Sequence, residues 1–432
     1  MLKISINEKD TNKQPILNNP VGITDANNDK DELFPPNHRP AKNGQAKSRK
    51  KIFIFLITGL VSMLGGVVLI VLGFLKNIDK NELVFPGISH DSSGTPTIYS
   101  SLTGEPLADE SLKTAPAYCI QIPNGTDGAR PQSGVTDAGV VFEAIAEAGI
   151  TRFAAIFQNP TPAVIGPIRS LRIYFLEWDT PFDCTIVHAG GASDALDAVA
   201  AGGYKDLSED YTYMYRGTYS NRLWNNLFTT SSYLKQYSRD HNYDSSDIKG
   251  FKRMTPEESA KDRVDKGVKA KLDILKATSE NTSEIIPSVS LINLNLGGWD
   301  NFNVKYEYNP VTNTYNRSYG SGLAHEVYQC PDEGLGEKNP EDACELTQVS
   351  PSVVIAMMVQ EGKAADGYHE AITAVGSGKA YIFQNGAVIE GTWSKAALDK
   401  QIEFTDSSGA EVSLAPGQTF ITAVPNYGSI EY

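Results

Sequence analysis

Four cysteines and six histidines are all that 432 residues contain, which leaves little material for thiol chemistry or metal binding. No second close Cys/His pair accompanies Cys330 and Cys344, so the spacing of a zinc site is missing. Also missing are G-x-S-x-G, H-E-x-x-H and the Walker loop, which removes the commonest hydrolase, metalloprotease and nucleotide-binding signatures. "GSGKAYIFQNG" (376–386) runs into a strand pattern rather than a helix, so it reads as a β-turn and not a phosphate cradle. Positive charge is short as well. A net charge of −14 argues against a non-specific nucleic-acid binder, which needs a basic face. No metal and no cofactor are expected.

What the chain does have is a long uncharged run. Residues 52–75, "IFIFLITGLVSMLGGVVLIVLGFL", would span about 36 Å as a helix, more than the ~30 Å hydrocarbon core of a bilayer. Lys47, Arg49, Lys50 and Lys51 precede it, whereas the charges after it nearly cancel. That asymmetry places the N-terminus in the cytoplasm and the bulk outside. The leader is too long for a cleaved signal peptide, and the first cysteine is Cys119, too distant to carry a lipid. The expectation is an uncleaved, single-pass signal anchor in the cell membrane. Residues 1–51 read as a disordered cytoplasmic tail and 76–116 as a Ser/Thr/Pro/Gly-rich stalk.

An exported domain can hold disulfides. Cys330 and Cys344 bracket a polar, turn-rich insertion, and a bond there would stabilise by about 3 kcal/mol in the chain-entropy model. The alternative is two free thiols. Cys119 and Cys184 lie in apolar, strand-like runs and are expected to be buried.

The fold class expected is α+β: an α/β domain over 117–285 followed by a mainly β domain over 286–427. "AYCIQI" (117–122), "TRFAAIF" (151–157) and "CTIVHAGG" (184–191) read as strands. Residues 136–150 read as a helix capped by Thr136, with Val140, Val141, Ala144, Ile145 and Ala148 on one face. Residues 168–178 and 193–201 also read as helices. Residues 255–278 give the clearest one, with Thr255, Pro256 and Glu258 forming its start. Beyond 287, short β-branched and aromatic runs alternate with turn residues such as Asn385-Gly386.

Polar groups concentrate in the first half. Arg130 and Ser133 lie in "ARPQSG", Glu143 in an apolar run, and Arg152 at a strand start. Arg169, Ser170 and Arg172 lie in "IGPIRSLR", and His188 ends a strand before a Gly-Gly turn. Ligands of open α/β sheets bind beyond the carboxyl ends of strands, and arginine forks read phosphate or carboxylate. Together these residues suggest an anion pocket; singly, each arginine has a surface salt bridge as its alternative. Glu143 and His188 are the candidates for proton transfer, with a structural ion pair and a structural hydrogen bond as alternatives. In the second half, "YNRSYGSGLAHE" offers Arg317, His325 and Glu326, and "NGAVIEGTWSK" offers Trp393 and Lys395.

The blocks "ARPQSG", "VVFEAIAEAGITRFAAIF", "IGPIRSLRIYF", "VHAGGASDAL", "YNRSYGSGLAHE" and "GSGKAYIFQNGAVIEGTW", in that order, resemble the YerB family of exported bacterial proteins, whose function is unknown. The resemblance implies an N-terminal α/β part and a largely β C-terminal part. Relatives often carry a lipid-modified cysteine, absent here, and a Pro-His-Asn where this chain has Trp224-Asn225-Asn226. By analogy, the order of an Arg-bearing strand, "IGPIRS" and a Gly-Gly turn is also similar to the LytR-CpsA-Psr cell-wall ligases. Three functions are therefore in view: binding of a cell-wall glycan or lipid-linked phosphate, phosphoryl or glycosyl transfer, and a structural role in an envelope complex.

Overall fold

A computed structural model describes residues 97–158, 162–217, 224–278, 287–330, 339–342 and 344–432, the side chains of 268–278 excepted. The expected tail and anchor lie outside the described residues. No described helix is long and apolar enough to cross a membrane. Residues 94–432 form one unit. Part of the expected stalk packs into it, because Leu102 is buried in the core.

The first half contains β1 (Ala117–Pro123), β2 (Val140–Glu147), β3 (Ile150–Gln158), α1 (Ile173–Asp179), β4 (Thr185–His188), α2 (Ser193–Ala200) and β5 (Lys205–Ser208). It ends with β6 (Tyr215–Arg216), β7 (Leu227–Phe228), α3 (Ser231–His241) and α4 (Pro256–Thr278). The second half contains β8 (Leu291–Asn295), β9 (Val304–Asn309), β10 (Thr314–Tyr319), β11 (Glu326–Gln329), β12 (Glu345–Gln348), β13 (Val353–Val359) and β14 (Glu361–Lys363). Then come β15 (Glu370–Ile372), β16 (Gly376–Gln384), β17 (Ala387–Lys395), β18 (Glu403–Asp406), β19 (Thr419–Pro425) and β20 (Ser429–Glu431). The fold is α+β.

One sheet of ten strands joins both halves in the order β18-β17-β16-β13-β19-β2-β3-β1-β4-β5. The joint is β19, parallel to β13 on one side and to β2 on the other, with Thr422 opposite Glu143. A smaller sheet, β10-β9-β8-β20, packs its tyrosines and leucines on one face of the large sheet. The opposite face is covered by α1, whose Tyr174, Phe175 and Trp178 are fully buried. Replacing a residue such as Trp178 by alanine would destabilise by about 3–5 kcal/mol.

Two elements depart from the sequence reading. Residues 136–150 are not a helix but most of a β-hairpin. Val140 to Ala146 are buried on both faces of the sheet, so apolar residues run on without alternation and mimic a helical stripe. The turn settles the matter: Ala148 (φ 50°) and Gly149 (φ 76°) are both left-handed, as a two-residue hairpin turn needs. The second departure is 168–172, which is extended, so helix α1 starts only at Ile173. The backbone of this segment wedges between two diverging parallel strands. Arg169 N–H donates to Gln121 O of β1, and Ala189 N–H after β4 donates to Arg169 O.

Several other local readings hold. The start of α4 is a capping box, with Glu258 N–H donating to Thr255 Oγ1 (3.2 Å) and Thr255 N–H to Glu258 Oε2 (2.9 Å). Asn385 and Gly386 make the β16–β17 turn, both with positive φ. Cys330 bonds Cys344, and Cys119 bonds Cys184, which ties β1 to the start of β4.

Candidate functional site

β1, β2, β4, β5, β13 and β19 run parallel to one another, and β3 begins where they end. Glu143, Glu147, Arg152 and the segment 168–172 therefore come to the carboxyl edge of the sheet. There they divide into two clusters on opposite faces.

On the β10 face, Glu143 receives Arg317. Arg317 Nη2 lies 2.8 Å from both carboxylate oxygens, and both side chains are fully buried. Thr151 (3.0 Å), Thr422 (3.3 Å) and Asn124 (3.4 Å) also donate to Glu143. Burial alone would lower the Arg317 pKa, but the Glu143 charge, with Tyr306 and Tyr319, outweighs it and raises it. His325 goes the other way: burial, then the charges of Arg317 and Arg130, push it well below its usual value. A neutral His325 suits its partners. Nδ1 accepts from Arg317, and Nε2 donates to Gln132 Oε1 at 3.1 Å. Arg130 closes the network, donating to Asn124 Oδ1 (2.8 Å) with its guanidinium 3.6 Å from the Tyr319 ring centre. Burial lowers its pKa to about 10.

On the α1 face, Glu147 receives two arginines. Arg152 Nη2 lies 3.0 Å from Oε1 and Arg172 Nη2 lies 2.5 Å from Oε2. The β2–β3 register shifts between Ile145 and Glu147, and that bulge accompanies the turn of Glu147 toward Arg152, away from the face that holds Glu143. Ser170 contributes its carbonyl, which accepts from Arg152 Nη1 at 2.7 Å. Burial opposes ionisation of Glu147, but Arg152 and Arg172 outweigh it and hold the carboxyl below its usual value. Burial, then the Arg172 charge, lowers Arg152 to about 10.

Arg169 differs from all of these. It sits in the crevice between β1 and β4, half-buried. Among the described residues no carboxylate lies within ion-pair distance of it; its Nε is shielded from water without an acceptor, as are those of Arg152, Arg172 and Arg317. Burial lowers its pKa, and Asp127 and then Glu147 are the carboxylates that partly offset this. Glu147 thus pairs two of the three guanidiniums, and Arg169 is left without an ion pair.

The remaining candidates are held by the fold. Ser133 is buried and donates to Val164 O at 2.9 Å, beside Cys330. His188 is buried, with Nδ1 2.7 Å from Gly190 O and Nε2 2.9 Å from Asp206 Oδ1. Among the described residues, no three His, Cys, Asp or Glu side chains gather as a metal site.

The same fold is found in a known protein. Two family models match, described as the N-terminal domain (residues 102–244) and the C-terminal domain (residues 293–421) of a protein of unknown function, DUF3048. The chain belongs to the DUF3048 family. It is similar to "Putative lipoprotein YerB" of Bacillus subtilis (strain 168), 29% identical over 333 residues, covering 75% of this chain and 86% of that one. The crystal structure of the YerB protein from Bacillus subtilis has the same fold, with a TM-score of 0.59 and 24% identity over 78% of this chain and 100% of that one. The resemblance to the YerB family read from the sequence is thereby established.

In this DUF3048 protein, sequence reasoning grouped Arg130, Ser133, Glu143, Arg152, Arg169, Ser170, Arg172 and His188 in one pocket; Arg130 and Glu143 instead belong to the network on the β10 face, and Glu147, the carboxylate that joins Arg152 and Arg172, was missed. Glu147 was hidden because a helical reading of 136–150 gave it no special position. The two-residue turn Ala148-Gly149 was the available signal. Arg317 and His325 were noticed, but their partner Glu143 lies 174 residues from Arg317, beyond any local pattern.

Proposed function

We propose that this protein is held at the outer face of the cell membrane by residues 52–75, with residues 1–51 in the cytoplasm. We propose further that its carboxyl-edge arginines bind an anionic group of an envelope ligand, a phosphate or a carboxylate. Such a group is common to acidic cell-wall glycans and lipid-linked phosphates. A relative named as a lipoprotein supports a membrane-tethered position. In this chain the apolar run after Lys47, Arg49, Lys50 and Lys51 would be the tether.

The ligand reading rests on Arg169. A guanidinium kept half-buried, without an ion pair, at the crevice between diverging parallel strands is placed where such sheets take ligands. Arg152 and Arg172, held by Glu147, add positive charge near it. Titration of the full chain in detergent with inorganic pyrophosphate at low salt should give saturable binding, weakened at least about tenfold by Arg169→Gln. Equal binding by the variant would refute the reading. For orientation, a reporter that works only outside the cytoplasm, fused after residue 432, should be active; an inactive fusion would refute the topology.

A further inference from the structure

A second site lies on the same edge, beyond β2 and β19, and goes beyond the anion reading. Two turns meet there: Ala148-Gly149 after β2, and Gly297-Gly298 after β8. They touch through backbone alone, because a Cβ on Gly298 would stand 3.2 Å from Gly149 O. A Cβ on Gly297 would collide with the Tyr427 ring, so that ring lies directly on the glycine backbone. Trp299 similarly lies against Gly149. Each ring is supported by backbone, yet Trp299 is 70% exposed and Tyr427 is 57% exposed. The tyrosine is fixed further by its hydroxyl, which donates to Glu361 Oε1 at 2.6 Å.

Between them is a groove of about 430 Å³, lined by these turns, the two aromatics, Ile145 and Glu370. That volume is in the range of small-ligand sites. Glu370 is the one charged residue of this lining, and its Oε1 is engaged by Lys363. Glu361 stands behind Tyr427 with Oε2 buried and without a partner. The groove is therefore unsuited to an anion, in contrast to the arginine crevice. Broad aromatic faces with the one lining carboxylate, Glu370, beside them suit a ring that is apolar on its flat side and hydroxylated at its rim.

We infer that the groove between Trp299 and Tyr427 is a binding site for an uncharged oligosaccharide. Calorimetric titration of the full chain in detergent with chitotetraose, maltotetraose and laminaritetraose tests this. At least one should bind saturably. Trp299→Ala and Tyr427→Ala should weaken it at least about tenfold. Trp224→Ala, which removes another exposed ring, should leave it unchanged. Trp299→Ala should melt as the parent does, because the ring is mostly exposed already. Arg169→Gln should retain saccharide binding while losing the anion. The inference is overturned if none of the three saccharides binds, if Trp299→Ala binds as tightly as the parent, or if Arg169→Gln abolishes binding of both ligands.

Discussion

The two charge clusters at the carboxyl edge use the same chemistry to different ends. Around Glu143 the carboxylate itself is closed off: it faces Arg317, hydroxyl and amide groups donate to the rest of it, and water is excluded, while Arg317 Nε is left without an acceptor. Around Glu147 the arrangement is more open: one carboxylate serves Arg152 and Arg172, and Arg169 next to them makes no ion pair among the described residues, with Asp127 and then Glu147 as its more distant counter-charges. The first cluster joins the two halves of the chain, since Glu143 comes from β2 and Arg317 from β10. The second faces the crevice and has positive charge to spare. An ion pair sealed between elements cannot lose one partner cheaply, whereas a cation left over at a strand end is what the ligand proposal requires.

Breaking the closed cluster should have the largest effect. Glu143→Gln leaves Arg317 buried without a counter-charge and should destabilise by about 3–5 kcal/mol, measured by urea unfolding. The double variant Glu143→Leu with Arg317→Met should lose less than Glu143→Gln alone, because no charge is then stranded. A larger loss in the double variant would mean that the pair itself, and not its imbalance, dominates.

Opening the second cluster further should matter less. Glu147 is partly exposed, so Glu147→Gln should destabilise by about 2 kcal/mol, short of a fully buried pair. It should also tighten anion binding, since it removes the carboxylate that offsets Arg152 and Arg172. Arg169→Gln should change stability by no more than about 0.5 kcal/mol, because no ion pair is lost. A loss as large as that of Glu143→Gln would place Arg169 with the closed cluster.

The smallest effect concerns pH. Burial raises the Glu361 carboxyl from 4.5 to about 7, offset in part by the Tyr427 hydrogen bond, with Glu370 raising it further and Lys363 lowering it. The folded protein therefore holds a proton there that the unfolded chain has already released. Stability from this group is full below pH 4.5, falls as pH rises toward about 7, and is flat above that. Thermal melts of the parent against Glu361→Gln across this window should show a shallower fall in the variant, since other buried carboxyls such as Asp179 and Glu177 titrate in both.

Sequence patterns reached the parts of this molecule that local chemistry decides. The capping box at Thr255, the Asn385-Gly386 turn, the strand ending at His188 and the β texture after 287 all follow from neighbouring residues. The hairpin at 140–158 did not. A strand buried on both faces has no alternation to read, and small residues such as Ala144, Ala146 and Ala148 leave helix and strand equally plausible. Arg172 read as a helical residue because Leu171 and Phe175 fit a helical face, yet the segment before it is fixed by hydrogen bonds to β1 and β4. The arginine cluster was visible as composition. Its counter-charge Glu147 was not, because a helical reading of 136–150 gave it no special position, and the partner of Glu143, Arg317, lies 174 residues away.

The central claim is that the open cluster carries uncompensated positive charge for a ligand, and opposite charge changes on either side of it test this most directly. Pyrophosphate titrated into the full chain, Arg169→Gln and Glu147→Gln under one set of low-salt conditions should bind weakest to Arg169→Gln, intermediately to the parent and tightest to Glu147→Gln. Equal affinity in all three, or the reverse order, would contradict the account.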